Sequence, residues 1–182
     1  MSIAAPAATT AHRRMVPAFI AAASLAALTL RQVDRQAFIV VMAVGAVGVL
    51  APAEGSLAQR RSRIRTAVAV ATGLAGLTVV KMSSALALSA SAPAILASVV
   101  AAVGEEAFFR RFLYGWLEQR GAVLAIVVTA LSFAAVHMPM YGWAAVPLNL
   151  TAGLLFGWQR WFSGGWGAPA VTHAAANLLA FL

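Results

Sequence analysis

The chain has 182 residues, of which 62% are hydrophobic and only 10% are charged, and its mean hydropathy is +0.87. A soluble domain is nearer half apolar and a quarter charged, so most of this surface must face lipid rather than water. The net charge of +8 comes from short basic clusters between apolar runs, as in membrane-protein loops, so nucleic acid is not an expected partner. Cysteine is absent, which excludes disulfides, thiolate metal sites and cysteine nucleophiles.

Apolar runs follow one another along the chain, and each is close to the ~20 residues that a helix needs to cross a bilayer. They are Met15–Leu30, Ala37–Ala53, Thr66–Val80, Ala92–Trp116, Ala122–Val136, Val146–Trp161 and Trp166–Leu182. These runs lack the alternation of polar and apolar residues that is typical of strands. A segment within lipid must also satisfy its own backbone hydrogen-bonding groups, as a helix does. The sequence therefore predicts an all-α polytopic membrane bundle of about seven transmembrane helices, within a range of six to eight.

We expect one membrane domain over residues 1–182, with residues 1–14 forming a disordered tail. The first apolar run resembles a signal peptide, but no clear cleavage site precedes Arg31, so a retained span is predicted. The basic residues form four groups: Arg13/Arg14, Arg60–Arg65, Arg110/Arg111/Arg120 and Arg160. Because an even number of spans separates each group from the next, all four fall on the same side of the membrane. The positive-inside rule makes that face cytoplasmic, which predicts a cytoplasmic N-terminus in a bacterial inner membrane.

Ionisable residues within apolar runs are costly in a membrane and therefore mark candidate functional sites. Glu105 and Glu106 point about 100° apart on a helix, so they are expected to have different roles. Glu106 is expected to pair with Arg110, four residues later, which leaves Glu105 without a local cation and suited to act as a general base or acid. The alternative is an interfacial Glu–Arg cluster that only anchors the end of a span.

Two histidines lie on later apolar runs. His137 follows Phe133 by one turn, and a structural hydrogen-bonding role is its alternative to catalysis. His173 and Asn177 are four residues apart and share one helix face, with helix packing as the alternative. Glu105 and His137 each lie 16 residues from the turn at Gly121, about 24 Å along a helix, and so share one depth. His173 is only about 14 Å past its own turn, so the register of the last helix is the weakest geometric point.

The sequence lacks the residues that other mechanisms of peptide cleavage inside a membrane require. No H-E-x-x-H string occurs, and Asp34 is the single aspartate, so neither a zincin nor an aspartyl dyad is possible. Ser132 and Ser163 are weak nucleophile candidates, since both suit local backbone hydrogen bonds. A transporter is disfavoured because paired broken helices are missing.

Three segments, taken in order, resemble the motifs of the CPBP intramembrane protease family. This family includes type II CAAX prenyl endopeptidases, also called Ras-converting enzymes, and bacteriocin-processing and immunity proteins. Glu105-Glu106-Ala107-Phe108-Phe109-Arg110 matches E-E-x-x-x-R, Phe133 to His137 matches F-x-x-x-H, and His173 to Asn177 matches H-x-x-x-N. The resemblance identifies residues 93–182 as a catalytic core.

The resemblance implies an intramembrane endopeptidase that acts on membrane-associated peptides or proteins. Glu105 and His137 would activate water, His173 and Asn177 would stabilise the oxyanion, and Glu106, Arg110 and Phe133 would support the site. The substrate cavity would open laterally or toward the cytoplasm. The alternative is a non-enzymatic membrane scaffold or immunity protein of the same family.

Two versions of the chemistry stay open. Glu105, His137 and His173 would form a three-ligand zinc site with one open position. A metal-free site is favoured, because Asn is a poor zinc ligand but a good oxyanion donor, so no cofactor is expected. Membrane lipids and the membrane-associated substrate are the expected partners, and the sequence predicts no oligomeric state.

Overall fold

The computed structural model describes residues 8–31, 35–51, 62–82 and 90–182, which are helical almost throughout and include no strand. The helices are α1 (Ala8–Leu30), α2 (Arg35–Leu50), α3 (Arg63–Met82), α4 (Ala92–Glu106), α5 (Tyr114–Glu118), α6 (Ala122–Tyr141), α7 (Val146–Ser163) and α8 (Gly167–Leu179). A π-helical segment, Ala107–Leu113, joins α4 to α5 in one continuous rod, and a short 3-10 turn, Trp143–Ala145, precedes α7. The all-α prediction is confirmed for the described residues. When α4, the π-helical segment and α5 are counted as one rod, the number of helices agrees with the predicted number of about seven.

Three of the described helices are long and apolar enough to cross a bilayer, over Arg63–Val80, Ala92–Glu118 and Ala122–Tyr141. The shorter apolar helices Met15–Leu30 and Ala37–Leu50 fall below that length. Short helices are accommodated by local thinning of the bilayer, so these elements fit a helical membrane protein.

The N-terminal segment is described from Ala8 onward. Helix α1 begins at Ala8, so its first residues lie inside the predicted tail, 1–14. Residues 1–7 of that tail lie outside the described residues.

Helix α6 is bounded by two glycines, and this sets the place of His137. Gly121 and Gly142 have φ values of 125° and 75°, which glycine adopts at no steric cost. Between them α6 runs for 20 residues, and His137 lies one turn before its end. The histidine is therefore near the end of α6 rather than at the middle of that helix.

Helices α2 and α4 pack with almost no space between their backbones. A Cβ atom at Gly45 would lie 2.8 Å from the Cα of Gly104, and one at Gly48 would lie 2.5 Å from the carbonyl of Ala107. Small residues permit such close approach where lipid provides no hydrophobic force between helices. Helix α2 therefore packs against the part of α4 that carries Glu105 and Glu106.

We predict that Gly48→Ala lowers the free energy of unfolding by about 1–3 kcal/mol, because the new methyl group must displace the backbone of Ala107. Gly76→Ala is the matched control, since a Cβ at Gly76 meets nothing within 4 Å. The control should be neutral or more stable by up to about 1 kcal/mol, because alanine favours helices. Thermal unfolding in detergent measures both variants, and equal shifts would contradict the tight packing of α2 on α4.

Candidate active site

Glu105 lies at the end of α4 and contacts groups from two other helices. Its Oε1 accepts a hydrogen bond from Arg31 Nη1 at 2.9 Å, and its Oε2 lies 3.5 Å from His137 Nε2. Arg31 Nη2 is also 3.4 Å from that His137 nitrogen, and Arg31 Nε is 3.1 Å from Met140 Sδ. The side chains of Arg31, Glu105 and His137 are buried, and Met140 is half-buried. We call Arg31, Glu105 and His137 the Glu105 cluster.

The ring of His137 is fixed by its own helix. Its Nδ1 is 2.7 Å from the carbonyl oxygen of Phe133, one turn earlier. Because a carbonyl oxygen only accepts hydrogen bonds, Nδ1 must carry a proton. Nε2 is therefore the nitrogen left to gain or lose a proton, and it is the one that faces Glu105.

Glu106 forms a second cluster on another face of the rod. Its Oε1 is 3.0 Å from His173 Nδ1, and its Oε2 forms an ion pair with Arg110 Nε at 3.3 Å. Arg110 is fully buried, and its Nη2 donates to the carbonyl oxygen of Gly153 on α7 at 3.2 Å. The predicted Glu106–Arg110 pair is present, and we call Glu106, Arg110 and His173 the Glu106 cluster.

Aromatic rings separate and line the two clusters. The ring centroid of Phe133 is 4.4 Å from that of His137 and 5.5 Å from that of His173. Phe156 stacks on His173 at 5.0 Å. The guanidinium carbon of Arg110 lies 5.3 Å from the Phe133 ring and 5.6 Å from the Phe156 ring. These ring faces stabilise a cation that has no access to water.

The carboxamide of Asn177 contacts the backbone of α4. Its Nδ2 donates to the backbone carbonyl of Ser98 on α4 at 3.0 Å. One amide hydrogen therefore joins α8 to α4, as expected for a helix-packing contact. The carboxamide has a second hydrogen that this bond does not use.

The zinc site considered from the sequence does not fit this arrangement. Among the residues that the structure describes, no group of three His, Asp or Glu side chains is placed to hold a metal ion. His137 faces Glu105, whereas His173 faces Glu106. The guanidinium of Arg31 also places a cation on Glu105 Oε1, where a bound metal would be repelled.

Arg31 is the cluster residue that sequence reasoning missed. In the sequence it is only the residue after the first apolar run, and it meets Glu105 across 74 positions. One signal pointed to it: the positive-inside rule places the end of the first span outside, where basic residues are rare. A basic residue at that position therefore indicates a specific acidic partner.

A family model described as type II CAAX prenyl endopeptidase Rce1-like matches residues 87–179, slightly more than half of the chain. The matched region includes every predicted site residue from Glu105 to Asn177, and Arg31 lies outside it. Among curated proteins and among solved structures, none matches this chain.

We predict that Arg31→Ala lowers the free energy of unfolding by about 3–5 kcal/mol, because it leaves Glu105 buried without its cation. Adding Glu105→Gln to that variant should restore most of the loss, since the uncompensated charge is then removed. Chemical denaturation in detergent measures both. The control is Arg120→Ala, whose side chain is exposed at the far end of the bundle.

An Arg31→Ala variant as stable as Arg120→Ala would contradict this account of the ion pair. So would a double variant less stable than Arg31→Ala alone, because the two losses would then be independent.

Proposed function

Because this chain belongs to the family of type II CAAX prenyl endopeptidases (Rce1-like), we propose that it is an intramembrane endopeptidase acting on membrane-associated peptides or proteins. The observation that carries the proposal is the buried pair of Glu105 and His137, with 3.5 Å between Oε2 and Nε2. An acid and an imidazole kept inside apolar helices are costly, and that cost favours a chemical role for them.

In the proposed reaction Glu105 is the general base. Peptide hydrolysis needs a base to take a proton from water as the water oxygen bonds to the carbonyl carbon. Arg31 holds Oε1, which leaves Oε2 to accept that proton beside His137. The proton then passes through Glu105 or His137 to the leaving nitrogen as the carbon–nitrogen bond breaks.

The Glu106 cluster is the proposed oxyanion site. A carboxylate only accepts hydrogen bonds, so Glu106 holds the proton on His173 Nδ1 and stabilises the ring when it is cationic. The Nε2–H of that cation is the donor proposed for the developing oxyanion. The second amide hydrogen of Asn177 is the other proposed donor, and Phe133 sets the spacing between the two clusters.

A glutamic mechanism without metal is the version that we propose. The contact of Arg31 with Glu105 supports it, because a guanidinium already supplies the positive charge at that carboxylate. No cofactor is needed for the steps above, and zinc is the alternative that the experiment below tests.

The proposed location is a bacterial inner membrane, with the N-terminus in the cytoplasm. The support for this orientation is the distribution of basic residues between the apolar runs. Lipids and a membrane-associated substrate are the proposed partners.

We predict that Glu105→Gln lowers cleavage at least ~100-fold, because the amide cannot take a proton from water. The measurement compares membrane-derived peptides from cells that carry the wild-type protein with those from cells that carry the variant. The matched control is Glu118→Gln, which removes a similarly buried carboxylate paired with Arg160 at the far end of the rod. The control should keep its activity.

The alternative function is a non-enzymatic membrane scaffold or immunity protein. The observation in its favour is that Asn177 ties α8 to α4, as a packing residue would. A folded Glu105→Gln protein that leaves the peptide population unchanged would support that alternative.

We expect the purified protein to cleave its substrate after exhaustive chelation, because no step of the proposed mechanism uses a metal ion. A zinc peptidase treated in parallel should lose its activity and regain it with zinc. Loss of cleavage that only zinc restores would overturn the metal-free mechanism.

A further inference from the structure

We infer that Arg31 is a positioning residue of the active site, whose guanidinium holds Glu105 and His137 in one fixed arrangement. This role rests on the proposed endopeptidase function and adds to it a residue outside the matched family region, residues 87–179. It also gives the first helix a part in the reaction, although α1 carries none of the three motifs.

The guanidinium contacts both members of the acid–imidazole pair through separate nitrogens. Its Nη1 donates to Glu105 Oε1 at 2.9 Å, and its Nη2 lies 3.4 Å from His137 Nε2. Because Nδ1 of His137 carries the ring proton, the neutral ring presents a lone pair at Nε2, which accepts from Nη2. The two Nη atoms belong to one rigid planar group, so Arg31 sets the spacing between the acid and the imidazole.

Glu105 and His137 have no hydrogen bond to each other in that state of the ring. Oε2 and Nε2 are 3.5 Å apart, and both atoms are acceptors when the ring is neutral and Nδ1 carries its proton. The relative position of the two side chains then depends on a group that donates to both of them. Arg31 is such a group.

A third contact sets the plane of the guanidinium. Arg31 Nε is 3.1 Å from the Sδ of Met140, which lies three residues after His137 on α6. A thioether sulfur accepts hydrogen bonds weakly, so this contact orients the group without competing with Glu105 for it. Arg31 therefore meets α6 at two points and α4 at one, through a side chain that is only 2% exposed.

Helix α1 places the backbone of Arg31 by burying one face. The buried residues of its second half are Ala21, Ser24 and Leu28, and Arg31 follows at the same spacing of three or four residues. Such spacing corresponds to one face of a helix. Leu28 belongs to the same buried core as Phe133. Packing of α1 thus fixes the position from which the Arg31 side chain reaches the cluster.

In the proposed reaction this arrangement matters during proton transfer. A general base must have its acceptor atom within hydrogen-bonding reach of the water, and a displacement of roughly 1 Å can cost about 100-fold in rate. With Oε1 held by Nη1, the carboxylate of Glu105 does not rotate, and Oε2 keeps its place beside His137. Arg31 acts through these two residues and not on the substrate, so its loss should lower kcat and leave KM unchanged.

A lysine at this position separates the positioning role from a simple counter-charge. An ammonium gives Glu105 the same charge, but it lacks the planar fork that reaches two partners at a set distance. We expect Arg31→Lys to lower kcat at least ~10-fold, with KM within about twofold of the wild type and a similar thermal unfolding midpoint. The substrate is a synthetic peptide that spans the bond found by comparing wild-type cells with Glu105→Gln cells.

Arg111→Lys is the matched control. Arg111 also donates to two acceptors, the carbonyl oxygens of Gly48 and Ala51, but neither belongs to the Glu105 cluster. Its kcat should stay within about twofold of the wild type, because the same exchange is made outside the cluster. A wild-type kcat in Arg31→Lys would overturn the inference, since charge alone would then suffice. So would a higher KM at unchanged kcat, which would indicate a contact with substrate.

Met140→Leu tests the same arrangement should Arg31→Lys fail to fold. This change conserves volume and removes the sulfur that orients the guanidinium, so kcat should fall about threefold or more. Met138→Leu is its control, because Met138 is also half-buried on α6 and should keep the wild-type kcat. Equal kcat values for the two methionine variants would in that case overturn the inference.

Failure of the proposed function gives a different result, namely no Glu105-dependent cleavage by any of these proteins, including the wild type. The contact of Arg31 with His137 is then measured by stability. Arg31→Lys and His137→Phe each remove that contact, so their effects on the unfolding equilibrium constant should depart from independence by about threefold or more. Independent effects would show that Arg31 does not hold the pair together.

Discussion

Two adjacent carboxylates buried in an apolar bundle are the constraint on which the rest of this structure depends. Each costs several kcal/mol unless a cation or donor compensates it. Because consecutive helical residues point about 100° apart, Glu105 and Glu106 cannot use the same partner. Arg31 compensates the first from the end of α1, and Arg110 compensates the second from within the rod. Lipid gives helices no hydrophobic reason to associate, so the Arg31–Glu105 pair, which joins two different elements, helps to determine which face of α4 meets the end of α1.

The π-helical segment that follows Glu106 belongs to the same arrangement. Single π turns are rare and are frequent at functional sites, where they change the face that a helix presents. This one begins at Ala107, where the backbone of α2 approaches most closely, and carries Arg110 into the interior. The next residue, Arg111, satisfies two carbonyl groups at the end of α2 that no helical bond would satisfy. A local change in helical pitch thus joins the Glu106 cluster to α2, the helix that packs against it.

Local spacing made part of this structure predictable. The Glu106–Arg110 pair and the contact of His137 with Phe133 both join residues four apart, so they follow from the 3.6-residue period of a helix. Glu105 and His137 are equally far from Gly121 along the chain, and this predicted that they lie at the same depth. What the sequence could not provide is which faces of distant helices meet. Arg31 comes from a helix with no motif, and His173 turned to Glu106 rather than to Glu105. Both contacts depend on the packing angles between helices, which cannot be derived from the sequence of any one helix.

The proposed mechanism requires the two histidines to be separate, because it gives them opposite tasks. A base for water must keep a free electron pair, whereas an oxyanion donor must keep its proton. Phe133 stands between the rings of His137 and His173, so neither acid–imidazole pair merges with the other. Each carboxylate has its own cation, with Arg31 paired to Glu105 and Arg110 paired to Glu106. Replacing that ring by a small side chain would remove the group that keeps the two acid–imidazole pairs apart, and the proposed division of tasks depends on that separation.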